Sequence, residues 1–265
     1  MAILKWSWVT MRNIFRNYSS EQTRSFYEGL SSGDNKRGIW GKERRFDPDK
    51  ISTNVSVLKH FLPVVTRHLA ASDKCLDLGC GTGGFLSLMA PLCKTITGAD
   101  IVPSFVNECQ AMIERKTLSN ANVVLLEKDK LPFADGEFDK IIMVDTIHHL
   151  EEPRHTMSEV TRVLKPGGEI LIFEPNKFNP LLAVIWILDK NEYGFWPLGT
   201  FNAYKKLLGD AFQVEQEEFN GVVIGPDDRF TVALADFLSN PANRLLGWLS
   251  PKMFIAARKV SGQSE

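Results

Sequence analysis

The first chemistry legible in the chain lies in Asp77-Leu78-Gly79-Cys80-Gly81-Thr82-Gly83-Gly84. Glycines 79, 81 and 83 read as G-x-G-x-G, and glycines 79, 81 and 84 as G-x-G-x-x-G. Either spacing lets the backbone turn sharply and approach a ligand, with unpaired amides at a helix N-terminus that attract an anion. The glycines alone do not choose the ligand. Asp77 does, because it stands where a dinucleotide would bring its pyrophosphate, and a carboxylate a few ångströms from two phosphate charges costs on the order of several kcal/mol in a partly buried site. S-Adenosylmethionine carries no phosphate. It offers an ammonium to an acid in the position of Asp77 and a carboxylate to the loop amides. Asp100 closes the next apolar stretch, where a carboxylate can accept both hydroxyls of a ribose, a role an acid also fills in nicotinamide dinucleotide enzymes.

Methyl transfer from a sulfonium is an in-line displacement whose electrophile arrives with the cofactor. The protein has to align acceptor and methyl, and needs a base only where the acceptor carries a proton. His148 and His149 are the candidates, imidazoles of unperturbed pKa ~6.5 just after the fourth apolar stretch; packing or capping the next helix is their competing role. Tyr27, in the lead-in segment, either closes over the cofactor's carboxylate or simply packs.

Holding these residues together requires strands and helices in alternation. Apolar, β-branched runs predict strands at 74–78, 95–100, 123–126, 140–144, 169–173 and 212–216, with a last strand at 253–259 closing the sheet edge. Between them the periodicity predicts helices over 85–92, after Pro103 with Phe105, Cys109 and Met112 on one face, over 155–164 up to the stop at Pro166-Gly167-Gly168, and over 203–208. This is an α/β fold with a doubly wound, mostly parallel seven-stranded sheet. Residues 1–70 are expected to form a helical cover over its carboxyl edge. Residues 71–265 form the binding domain, with apolar irregular insertions at about 175–200 and 221–250.

Asp77 to Gly83, Gly98-Ala99-Asp100, Lys128-Asp129-Lys130-Leu131-Pro132-Phe133 with Phe138-Asp139, His148-His149-Leu150 with Glu152-Pro153, and Arg162-Val163-Leu164-Lys165-Pro166-Gly167-Gly168 follow one another in order. Together they resemble the class I S-adenosylmethionine-dependent methyltransferases, in particular the type 11 group typified by the ubiquinone and menaquinone methyltransferases. The resemblance covers roughly residues 74–175. It implies a Rossmann-like methyltransferase fold with S-adenosylmethionine as co-substrate. It also implies that Asp77, Gly79, Cys80, Gly81 and Gly83 hold the methionine end, Asp100 and Ile101 the ribose and adenine, and Asp129 with Lys130 the adenine edge. Val144 and Asp145 would line the methyl pocket.

Composition narrows the partners. A formal charge of −1 with 44% hydrophobic and 24% charged residues excludes a disordered chain and a strongly basic nucleic-acid binder. Asp145-Thr146-Ile147-His148 is not the Asn/Asp-Pro-Pro-Tyr box of enzymes that methylate exocyclic amides, and no basic patch is interleaved with aromatics. Glu174-Pro175-Asn176 and the apolar stretch 180–197, with Trp186 and Trp196, are expected at the cofactor rim. There they would wall a site for a small, apolar or lipid-linked acceptor, with a homodimer contact or plain packing as the alternative. Cys75, Cys80, Cys93 and Cys109 show neither metal-ligand nor disulfide spacing, so reduced thiols, no metal and a cytoplasmic location are expected.

No apolar run exceeds 181–188, far below the ~20 residues that span a bilayer. Near the start, Leu4, Trp8, Met11 and Phe15 recur on one helical face beside Lys5, Arg12 and Arg16. That stripe suits packing on its own domain or a sister subunit, peripheral contact with a membrane surface, or a mitochondrial presequence. The functional expectation is methyl transfer from S-adenosylmethionine to O, C or N of such an acceptor. A non-catalytic S-adenosylmethionine-binding protein and a NAD(P)-dependent oxidoreductase are the alternatives.

Overall fold

Apolar runs become interior strands here because helices cover both sheet faces. The computed structural model describes residues 19–32, 46–127, 130–180, 182, 195–224, 229–240, 243 and 245–261. Helix α1 spans Ser20–Ser32. Helix α2, Pro48–Thr53, starts where the Asp47 side chain accepts from the amides of Asp49 and Lys50, and a π-helical turn, Val57–Phe61, leads into α3, Leu62–His68. The alternation then runs β1 (Lys74–Leu78), α4 (Gly84–Met89), β2 (Thr95–Asp100), α5 (Pro103–Arg115), β3 (Ala121–Leu125), β4 (Phe138–Val144), α6 (Pro153–Val163), β5 (Leu164–Pro175), α7 (Phe201–Leu208), β6 (Phe212–Asn220), α8 (Arg229–Ser239) and β7 (Lys252–Lys259). Pro103 and Pro153 occupy the first turns of α5 and α6, where a missing amide costs no hydrogen bond.

The seven strands lie in the order β3-β2-β1-β4-β5-β7-β6. All neighbours are parallel through β5, and β7 runs antiparallel to both β5 and β6. One core, with Phe61, Val65, Leu86, Met89 and Phe254, fills one face; Leu76, Ile141, Met157, Val160 and Tyr204 belong to the other.

Four expectations change. The last strand does not close the edge: β7 lies between β5 and β6, because Met253 to Ala257 are buried in succession, whereas β6 alternates exposed Gln213, Glu215 and Glu217 with half-buried residues and stands at the rim. The apolar stretch after residue 221 is not irregular throughout, since it contains α8. The lead-in does not lie wholly over the carboxyl edge either. Residues 57–68 pack on a sheet face, with Phe61 against Phe85 and Phe173, and among the described lead-in residues α1 and residues 46–53 reach the carboxyl end. The Pro166-Gly167-Gly168 stop falls inside β5, where the pairing with β4 shifts register and Gly167 takes a φ of +74°. The stripe at residues 4–15, most of the apolar stretch 180–197 and Asp129 lie outside the described residues.

Candidate functional site

Strand order reverses between β1 and β4, so their following loops diverge and leave a crevice at the carboxyl ends. A cavity of about 720 Å³ opens there. Gly79, Cys80, Gly81 and Thr82 form one wall, Asp100, Ile101 and Val102 a second, Leu126, Lys130 and Leu131 a third, and Val144, Asp145, Thr146 and His149 the floor. Tyr27 and Phe46 close it from the lead-in segment.

Sterics explain the glycine loop. Gly79 has a φ of +77°, and a Cβ there would sit 2.3 Å from the Thr146 Oγ1, so only glycine lets the loops after β1 and β4 meet. Gly81, at φ +53°, has nothing within 4 Å of an added Cβ and faces open space. Gly83 does not line the cavity: its α-carbon faces Cys109 and Met112 of α5.

Two buried carboxylates dominate the electrostatics. Asp100 accepts the Gly81 amide and the Val102 amide, each at 2.9 Å, which fixes the glycine loop to the end of β2. Burial raises its pKa against the opposing pull of those amides. Asp77 does not border the cavity: it is buried behind the glycine loop with no hydrogen-bond partner on Oδ2, and burial together with the Asp100 charge pushes its carboxyl up to about 7. A second anion would make this worse. A bound ammonium would satisfy the orphaned oxygen and neutralise the pair, so the residues fit a cationic adenosine compound.

The two histidines part company. His149 lines the cavity, and its Nε2 lies 3.2 Å from the Tyr27 hydroxyl. His148 does not reach the cavity: it is fully buried, with Nδ1 2.6 Å from Glu174 Oε2. Glu174 and Asn176, expected at the rim, are fully buried as well. Asn176 donates to the carbonyls of Trp248 and Ser250, because the end of β5 is covered by the chain entering β7. Asp145 stands on the floor in a left-handed conformation, φ +51°, paired with the buried ammonium of Lys252. Ile101 and Lys130 line the cavity as expected positions. Thr146 and Lys252 carry no signal as site residues in the sequence, and Glu174, expected as a wall of the acceptor site, instead accepts the amides of the loop after β4 from within the core.

Among the described residues no helix is long and apolar enough to cross a membrane, and no group of three or more His, Cys, Asp or Glu could hold a metal ion.

A methyltransferase-domain family model matches residues 76–172. The chain is 30% identical over 176 residues to the ubiquinone/menaquinone biosynthesis C-methyltransferase UbiE of Neisseria meningitidis serogroup C, covering 64% of this chain and 67% of that protein. It is 25% identical over 187 residues to the sterol 4-C-methyltransferase strm-1 of Caenorhabditis elegans, covering 63% of this chain and 56% of that protein. The chain thus spans little more than half the length of several curated relatives it matches. In fold it is similar to the [4+2]-cyclase SpnF, with a TM-score of 0.61 at 19% identity over 93% of this chain and 99% of that one.

Proposed function

The chain belongs to the class I S-adenosylmethionine-dependent methyltransferases, and we propose that it transfers the methyl group of S-adenosylmethionine to a small, apolar or lipid-linked acceptor held above the floor of the 720 Å³ cavity. The observation that carries this reading is the buried acid pair Asp77 and Asp100 at the glycine loop, with Asp77 Oδ2 unpartnered. Such a pair suits a ligand carrying an ammonium and a sulfonium and opposes a pyrophosphate.

When bound, S-adenosylmethionine supplies an activated methyl group. In the proposed arrangement Asp77 takes the ammonium, the free face of Gly81 admits the methionine carboxylate, Asp100 shares its remaining lone pairs with the ribose, and Ile101 and Lys130 flank the adenine. Asp129 remains part of that proposal at the adenine edge. Tyr27 covers the methionine end and excludes water. His149 is the residue placed to remove a proton from an acceptor that loses one, through a ring that faces the cavity.

The sterol and quinone relatives favour an apolar acceptor. The likeness to a cyclase is one of fold alone, and it makes turnover, not binding, the decisive observation. Peripheral contact with a membrane, through the stripe of Leu4, Trp8, Met11 and Phe15, belongs to the same proposal. Flotation with anionic vesicles at low salt tests that part, and failure to float removes it. The activity is tested by supplying labelled S-adenosylmethionine together with lipid and polar extracts and identifying whatever gains a methyl group.

A further inference from the structure

Glu174 is the most heavily bonded carboxylate near the site, yet it does not border the cavity. Its Oε1 accepts the amides of Thr146 at 2.8 Å and Ile147 at 2.7 Å. Its Oε2 accepts Nδ1–H of His148 at 2.6 Å and the Tyr204 hydroxyl at 3.3 Å. Glu174, His148 and Tyr204 are all fully buried, so no solvent competes for these bonds. Four donors from two elements converge on one side chain of β5.

We propose that Glu174 is a positioning residue that sets the loop after β4, and through it both halves of the proposed methyl-transfer site, without touching a ligand itself. Two routes lead outward from it. Thr146, fixed by its amide, turns Oγ1 toward the carbonyls of Leu78 and Val144 and fills the space that a side chain on Gly79 would need. The carboxylate thereby fixes the distance between this loop and the glycine loop. His148, fixed by Nδ1, lies with its ring centre 3.9 Å from that of His149, whose Nε2 meets Tyr27. Between the two routes sits Asp145, whose left-handed backbone needs anchoring on both sides; Lys252 supplies one anchor and Thr146 the other. A residue that only filled space at the end of β5 would not need four directed donors.

The test separates geometry from volume. Glu174→Gln keeps the volume but replaces one acceptor oxygen by a donor that faces the His148 and Tyr204 donors. In the ligand-free protein, amide exchange at Thr146 and Ile147 should quicken by roughly tenfold, and the ring resonances of His149 should move although that ring does not touch Glu174. S-Adenosylmethionine affinity should fall roughly three- to tenfold. Should that variant not fold, a pair at position 148 carries the same test. His148→Asn retains a donor near Nδ1 and should keep the wild-type protection of the Thr146 and Ile147 amides, whereas His148→Leu should lose it. Wild-type exchange and resonances in Glu174→Gln, or His148→Leu behaving as His148→Asn, would overturn the proposal. The inference rests on the proposed cofactor site only for the affinity measurement. Failure of that reading would show as a wild-type protein that does not bind S-adenosylmethionine, with the ligand-free measurements still deciding the role of Glu174.

Discussion

The hydroxyl of Tyr27 lies 3.2 Å from Nε2 of His149, which ties α1 to the loop after β4 across the mouth of the cavity. The same helix is fastened by the Ser20 amide donating to Glu151 and by Glu28 accepting the Ser104 amide, while the Tyr27 ring packs against Phe46 and Phe105. In the proposed site, the ligand's entry and exit are expected to work against these contacts. Tyr27→Phe keeps the ring and removes the bond, so it should quicken S-adenosylmethionine release and raise Kd by roughly three- to tenfold. Stopped-flow release measured on both proteins checks this, and identical rates would leave Tyr27 as packing only.

Asp77 is expected to make stability and, in the proposed site, ligand binding depend on pH. Its folded pKa of about 7 lies above the ordinary 3.8, so the native ligand-free chain holds this proton more tightly than the unfolded chain does. Its stabilising contribution is therefore present below the unfolded value and is lost as pH rises through about 7. A ligand ammonium prefers the ionised carboxylate, so affinity should do the reverse and climb by up to roughly tenfold per pH unit until Asp77 has titrated. Calorimetric titrations and urea melts between about pH 5 and 8 should show both trends, and Asp77→Asn should flatten them. A pH-independent wild type would remove Asp77 from the ammonium site.

Two glycines of one loop should fail differently. At Gly79 a methyl group meets Thr146 and also adopts a positive φ, so Gly79→Ala should destabilise the fold by about 2 kcal/mol or more. At Gly81 the space is open, and Gly81→Ala should cost only about 1 kcal/mol from its left-handed backbone while placing a methyl group in the ligand's path. Urea denaturation paired with calorimetry distinguishes them. Equal stabilities of the two variants would contradict the close approach of the loops after β1 and β4.

Much of this arrangement was legible in the sequence, for reasons that differ by element. Lys74–Leu78 and Thr95–Asp100 were readable to the residue because each is a short run with an acid, Asp77 or Asp100, at or one residue before its carboxyl end. The inner position of β7, against the expected edge, has its signal in the chain: Met-Phe-Ile-Ala-Ala is apolar without alternation, the mark of a strand covered on both sides, while Phe212–Asn220 alternates in exposure as an edge strand does. His148 and His149 are adjacent and chemically identical, and only the turn between Ile147 and His149 decides that one ring enters the core and the other faces the cavity. The bond from His148 to Glu174 spans 26 residues, a pairing that no local pattern encodes.

His149, not His148, is the proposed base. His149→Ala should lower methyl transfer by roughly two to four decades with cofactor affinity nearly unchanged, provided the acceptor loses a proton in the reaction. His148→Asn should stay within roughly an order of magnitude of wild type, since its ring acts only through Glu174 and His149. Single-turnover rates with bound S-adenosylmethionine compare the three proteins directly. A fully active His149→Ala would confine that ring to holding Tyr27.

Methyl transfer itself is tested by incubating the full chain with S-adenosylmethionine labelled in its methyl group and with separate lipid and polar extracts, then following the label by mass spectrometry. The expected result is label in a small apolar molecule of the lipid extract, and its loss with Asp77→Asn and with Asp100→Ala in step with their weakened cofactor binding. Firm binding of S-adenosylmethionine by the wild-type chain, with no labelled product from either extract, would contradict the methyltransferase activity and leave a protein that only binds the cofactor.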